Sequence, residues 1–265
     1  MGGGTFVVDN KPGAGGNIAA QTVAHADPDG RTLLVCYTSH AINATLYDNL
    51  AYDPVKSFQP VSYLATAPSF LVAHPSVKAS TLPELIALAK AQPGTLNMAL
   101  PGIGSAGHLG SEVLKREAGI DLVLVPYKGT APAMTDLLGG QVQLMFAGAA
   151  IAKAQIETRK INALAVSSAA RMEIMPSVPP VADTLPGYEF SAWYGVLGPA
   201  GMDKAYAEKL SLATGKILAN PGNRRRLLDE GLIATGSTPD GFRDFLVTEV
   251  EHWGKVVRES NARAG

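Results

Sequence analysis

Short apolar runs alternate with segments of helical spacing along most of this chain, and that alternation constrains the fold more than any single motif. "TFVVDN" and "RTLLVCY" read as strands on either side of the helical "NIAAQTVAHA", with "PDG" as the turn signal. "FQPVSYLA" and "SFLVAHP" follow as strands. "STLPELIALAKAQPG" is a marked helix: Ser80 or Thr81 can cap it, Pro83 lies in its first turn, Glu84 suits its positive end and Pro93-Gly94 stops it. Strand and helix then alternate through "TLNMAL", "SAGHLGSEVLKREAG", "DLVLVPY", "APAMTDLLGG", "VQLMFAG", "AIAKAQIETRK" and "INALAVSS". The pattern predicts an α/β fold with a mostly parallel sheet.

The stretch from Met175 to Pro186 is too proline-rich for regular structure, and leads into an apolar strand, "YEFSAWYGVLGPAG". Two helices close the chain, "KAYAEKLSLATGKILAN" and "TPDGFRDFLVTEVEHWGKVVRES". In the last, Thr238 can cap, Pro239 can take the first helical position, and Phe242, Phe245, Leu246, Trp253 and Val257 form one apolar face that suits a core. With 265 residues, 46% hydrophobic and 17% charged, the chain can bury a large core as one domain or two lobes.

Several classes fall away. A formal charge of −1 offers no electrostatic case for nucleic acid or an anionic membrane. The single cysteine, Cys36 in "LLVCY", rules out an intramolecular disulfide and reads as a small buried hydrophobe. The histidines show no metal-ligand spacing, so no metal and no cofactor are expected. No apolar run reaches the length of about 18 residues that a membrane span needs. "MGGGTFVVDN" lacks the charged and apolar regions of a signal peptide, so the chain is either cytosolic or begins after a removed leader.

"LNMALPGIGSAGHLGSEVLK" contains G-x-G-x-x-G at Gly102, Gly104 and Gly107, between a strand and a helix. A dinucleotide site also needs an acidic residue closing the next strand, and "LVLVPY" ends instead in Tyr127-Lys128. A serine hydrolase using Ser105 is the enzymatic alternative. Its elbow would place Ile103 where a small residue is required, and no carboxylate is evidently placed to orient His108. The simpler reading is a helix start whose free N–H groups, helped by Ser105, receive a small carboxylate. Two further strand ends meet helix starts: Lys128-Gly129-Thr130, and Thr38-Ser39-His40. Open α/β sheets bind ligands at such carboxyl ends. Trp193-Tyr194 could equally stack on a ligand or pack a crossing strand. His40 could be a turn residue with a satisfied ring, and Lys128 a solvated lysine.

The segments "VVDNKPGAGGNIAAQTVAHADPDGRTLLV", "LPELIALAKAQPGTLNMALPGIGSAGHL", "LVPYKGTAPAMTDLLGGQVQLMF" and "SVPPVADTLPGYEFSAWYGVLGPAG" cover nearly the whole chain in order. They resemble the Bug family, the periplasmic solute-binding proteins of tripartite tricarboxylate transporters. The resemblance implies a two-lobe Venus-flytrap fold of the second periplasmic-binding-protein type and no enzymatic activity. It places lobe one at 1–98 plus 194–265 and lobe two at 99–193, with crossings near 96–100 and 189–196. It implies a cleft in which Gly104, Ser105 and Ala106 donate to the carboxylate. Lys128, Gly129 and Thr130 would form a wall, and Ser39, His40, Ala41, Thr66 and Ala67 would approach from lobe one. The implied partners are a small organic acid and the large and small membrane subunits of such a transporter, in the periplasm. A ligand sensor with the same lobes is a further alternative.

Two departures from the family bear on these expectations. Where members commonly carry aspartate after the Phe of "QLMF", this chain has Ala147-Gly148, which favours an apolar, aromatic or plain organic acid over an amino acid. The family's leading strand, glycine loop and helix are also missing before "VVDNKPGAGG", with at most the glycines of "MGGGT" in their place. Lobe one is therefore expected to be N-terminally truncated, with a perturbed sheet or a gap filled by a rearranged segment or by self-association.

Overall fold

The computed structural model describes residues 5–260, 262 and 263. β1 (Leu34–Tyr37) and β2 (Phe58–Ala67) belong to a first sheet. β3 (Ser69–Ala73), β4 (Asn97–Leu100), β5 (Val123–Pro126), β6 (Leu144–Gly148) and β7 (Asn162–Val166) form a second, in the order β5-β4-β6-β3-β7. β8 (Ala192–Pro199) and β9 (Ile233–Ala234) return to the first, whose order is β1-β8-β2-β9. Two sheets, each with its own helices, give a mixed α/β molecule of two lobes.

The sheets are less parallel than the alternation predicts. Every pairing in the first sheet is antiparallel, and in the second only β4 with β5 and β4 with β6 run parallel. The cause is the path between lobes: β8 comes back between β1 and β2 and runs against both.

The outward crossing also differs from expectation. β4 lies between β5 and β6, wholly inside the second sheet, so the chain does not cross at 96–100. It crosses at Pro68, directly between β2 and β3. "FQPVSYLA" and "SFLVAHP" read as two strands of one sheet, but a proline without an N–H breaks the ladder between them and the pairing partners change there. The return falls at Ser191. On one side of it Phe190 N–H donates to Ser167 O (3.0 Å), and on the other Ala192 pairs with Ala67. Ser167 also ties the outward link, accepting Ser69 N–H on Oγ (2.9 Å) and donating its own N–H to Ser69 O (2.8 Å).

Helix boundaries follow the caps. α1 (Asn17–Ala24) and α2 (Ser39–Leu46) flank β1. α3 (Leu82–Ala91) is capped by Thr81 Oγ1, which accepts Glu84 N–H, while the Glu84 carboxylate accepts Ser80 N–H (2.7 Å). α4 (Ala106–Ala118), α5 (Thr130–Leu138) and α6 (Ala149–Glu157) follow β4, β5 and β6. After α7 (Lys204–Ala219) comes α8 (Pro221–Asp229), absent from the sequence reading although Asn220 caps it and Pro221 opens it. In α9 (Pro239–Ser260) Gly241 N–H donates to Thr238 Oγ1 (3.1 Å).

The α9 stripe is core: Phe242, Leu246, Trp253 and Val257 are buried. Phe245 packs edge-on against Tyr63 (ring centroids 4.7 Å apart) and Trp193 (5.4 Å). Trp193 is buried, with its indole N–H on the Glu249 carboxylate, so it packs the crossing strand rather than facing a ligand. α9 reaches lobe two through Arg116 Nη1 to Glu259 Oε2 (2.6 Å). Cys36 is buried, its thiol donating to Gly195 O (3.4 Å), and burial pushes its pKa well up.

The expected first strand, "TFVVDN", does not form. Phe6, Val7 and Val8 are each 84% exposed and join no strand, and β1 is an edge strand among the described residues. The glycines at 2–4 lie outside the described residues.

Ser167→Ala strands the partly buried Ser69 N–H. We expect a loss of about 1–3 kcal/mol in chemical denaturation, with the fold retained.

Candidate functional site

β4, β5 and β6 run parallel to one another or share β4 as neighbour, so their carboxyl ends lie on one edge of the second sheet. Each passes directly into a helix: β4 into α4 through Pro101–Ser105, β5 into α5 through Tyr127–Gly129, and β6 into α6 at Gly148. Three helix N-termini therefore meet at that edge. None of them has an acidic residue in its first turn, and α5 and α6 begin at Gly129 and Gly148 without a side-chain cap. Each start carries about half a positive charge with nothing in its own first turn to neutralise it. The loops are linked, since Gly129 N–H donates to Pro101 O (2.9 Å) and Tyr127 N–H to Leu100 O (2.9 Å).

The opposite wall comes from lobe one. Gly104 has φ +74°, and a Cβ there would stand 2.3 Å from Leu46 Cδ2, so the α4 loop lies directly against α2. Gly231, just before β9, approaches α6 in the same way: its Cβ would meet Ala149 Cβ at 2.5 Å and Ala150 N at 3.0 Å. These two glycine contacts join the lobes across the edge where the helices start. A hollow between α4, Gly187–Phe190 and α9 is lined from α4 by Gly110, Val113, Arg116 and Glu117, and not by the α4 start.

Two of the three amides expected to donate are used within the loop. Gly104 N–H is already given to His108 Nδ1 (3.1 Å). Ser105 N–H goes to Gly102 O (3.3 Å), and its hydroxyl donates to Gly102 O (2.8 Å) while accepting His108 N–H (3.1 Å). The amides of Ala106 and Gly107 have no acceptor among the described residues. Of the expected trio, only Ala106 keeps a free N–H; Gly107, which sequence reasoning did not name, keeps one as well. The signal was available, because a serine N-cap leaves the first two helical amides free. Lys128 is exposed beside this edge, and Thr130 opens α5. Ala147 is fully buried in the second core opposite Phe70, so its side chain does not face the edge; Gly148 is the exposed residue there.

On lobe one, Thr66 and Ala67 end β2 half-buried, opposite Trp193 and Ala192. Ser39 donates to Gly15 O (2.8 Å), tying α2 to the glycine turn before α1. Ala41 is buried, with its N–H on Thr38 O (3.1 Å). His40 turns inward: Nε2 lies 2.9 Å from Pro54 O, and the ring stacks on Tyr52 and meets Phe58 edge-on. Burial lowers its pKa to about 4, partly offset by the Pro54 bond, so it is neutral and structural.

Nothing at the edge forms a nucleophile–base pair. His108 gives Nδ1 to Gly104 and holds Nε2 4.0 Å from Glu112 Oε1, so the ring is not bonded to the Ser105 hydroxyl. Among the described residues no group of three or more His, Cys, Asp or Glu is gathered to hold a metal ion, and no helix is long and apolar enough to cross a membrane.

This arrangement has close counterparts. Residues 2–262 match the family described as the tripartite tricarboxylate transporter family receptor, TctC. The chain belongs to that family. A Pseudomonas sp. (strain P51) relative, the UPF0065 protein in the tcbD-tcbE intergenic region, is 34% identical over 97% of this chain and 77% of its own length. Protein BugT of Bordetella pertussis is 33% identical over 97% of this chain and 80% of its own. Among solved structures, R. palustris Rpa4515 with adipate superposes with a TM-score of 0.90 at 31% identity, covering 98% of this chain and 87% of that one. MatC (Rpa3494) from Rhodopseudomonas palustris with bound malate gives 0.81 at 32%, covering 92% and 85%. The two sheets are those of the two-lobe periplasmic-binding-protein fold.

The buried His40 makes a pH prediction for this receptor. The unfolded chain protonates His40 near 6.5, while the folded chain resists down to about 4. Between those values the unfolded state holds more protons, so stability falls as pH falls. His40→Phe should remove roughly 2 kcal/mol of the stability difference between about pH 7 and pH 5, read from urea midpoints at the two pH values.

Proposed function

We propose that this receptor captures a small organic carboxylate between its lobes, outside the cytoplasm, and passes it to the membrane subunits of a tripartite tricarboxylate-type transporter. The observation that carries the reading is the meeting of the α4, α5 and α6 N-termini at one sheet edge with no acidic residue in any first turn. The free amides of Ala106 and Gly107, the starts of α5 and α6, and Lys128 act as donors and positive charge for a carboxylate. The task is retention and release, and the site makes or breaks no bond. The adipate and malate held by the two R. palustris relatives support a di-acid among the candidates. Gly148, the exposed residue at the end of β6, carries no carboxylate side chain to receive an amine, which supports a plain acid over an amino acid.

Capture requires that the ligand favour one lobe arrangement over another. The links at Pro68 and Ser191 are single residues anchored on both sides, by Ala67 pairing with Ala192 and by Ser167 bonding both Ser69 and Phe190. We place the closing motion in rotation about these two links.

Isothermal titration against adipate, malate, benzoate and, as a control, putrescine tests the reading. We expect at least one acid to bind with 1:1 stoichiometry and the diamine not to bind. Binding by none of the acids, or by the diamine alone, would sink it. Thr130→Glu places a negative charge in the first turn of α5. It should leave the melting midpoint unchanged or slightly higher, because a helix start favours acid, yet weaken the acid about 10-fold or more.

A further inference from the structure

Two helices of this chain open with the same hydrogen-bonded box. In α3, the third helical residue, Glu84, donates its N–H to the cap Thr81 and accepts the N–H of Ser80, just before the cap (2.7 Å). In α4, the third helical residue, His108, donates its N–H to the cap Ser105 (3.1 Å) and accepts the N–H of Gly104, just before the cap (3.1 Å). The connections are identical and the side chain differs. The acidic version stands at an exposed helix start, and the neutral one at the start that faces α2 across the lobes.

Resting on the carboxylate reading above, we infer that His108 is a positioning residue, which fixes the glycine loop at the head of α4 while keeping that head free of negative charge. A glutamate there would close the box equally well, but its charge would lie within the same turn as the Ala106 and Gly107 amides and repel an incoming acid. The imidazole supplies the acceptor without the charge. Accepting on Nδ1 puts the ring proton of the neutral form on Nε2, which faces the Glu112 carboxylate at 4.0 Å. Burial holds the ring toward its uncharged form, the state in which Nδ1 can accept. The loop it holds is the one that touches Leu46, so its shape also sets how closely the lobes meet.

The test compares His108→Gln with His108→Glu in the full chain. Both keep an acceptor, and only one adds charge. Melting midpoints of the two should agree within a few degrees. In titrations with adipate and malate, the Gln variant should bind within about 3-fold of the parent, and the Glu variant about 10-fold or more weaker. A purely structural role predicts equal binding by the two variants, and that result overturns the charge argument. A multiple-bond 1H–15N spectrum of the unmutated protein at neutral pH should show the neutral ring with its proton on Nε2; a charged ring, or a proton on Nδ1, overturns the positioning role. If the parent binds neither acid, the charge argument falls with the carboxylate reading, and the spectrum decides the loop contact separately.

Discussion

The pairing of β2 with β8 organises the rest of the molecule. The two strands run antiparallel from Phe58 opposite Pro199 to Ala67 opposite Ala192, and the chain leaves for and returns from the second lobe at that last pair. Because exit and entry lie side by side, the second lobe is one continuous insertion, from Ser69 to Phe190, hung from two adjacent strands. α9 then closes over the inner face of the first sheet, where Phe242, Phe245, Tyr63 and Trp193 interlock, and extends far enough to bond α4. The inner faces of both lobes belong to one apolar cluster that includes Leu71, Phe146, Trp193 and Phe242. The lobes are thus joined through packed side chains as well as through the chain itself.

Against that frame, the edge we propose for the ligand uses very little side-chain chemistry. Its proposed donors are mainly main-chain amides held by strand and helix, which lose almost no conformational freedom on meeting an anion; a ring of lysines or arginines would have to be immobilised. Small residues serve the same end. Gly104 and Gly231 allow close interlobe contact, and a side chain at either would hold the walls apart. On that proposal, specificity for one acid over another rests on the shape between the walls and less on added charge.

Much of this was readable from the residues. The cap at Thr81, the cap at Thr238 and the α9 stripe all lie where local rules put them, because capping and helical periodicity are short-range. The second glycine loop lies at a strand–helix junction as expected, but the third expected start, Thr38–His40, follows β1 of the first sheet, and the third start at this edge, at Gly148, was not foreseen. What escaped depends on partners distant in sequence. Pro68 marks a change of sheet only once β8 and β6 are known to pair on either side of it. Ala147 follows the strand alternation, but both faces of β6 are buried, and alternation alone does not say which core receives it. His40 and His108 look alike as residues near helix starts, yet one faces Pro54 and aromatic rings while the other closes a cap. α8 was overlooked because its apolar content is low, although its Asn-Pro opening was a sufficient signal.

The lone thiol has a practical consequence. Cys36 lies in β1 with its side chain buried and its thiol on Gly195 O, and burial suppresses its ionisation. Thiol reagents attack thiolates, so the native protein is effectively silent toward maleimide or nitroxide labels while folded. Cysteines introduced on the outer surfaces of the two lobes would carry spin or fluorescent probes without a competing background, and lobe separation could be followed in solution on an otherwise unaltered chain.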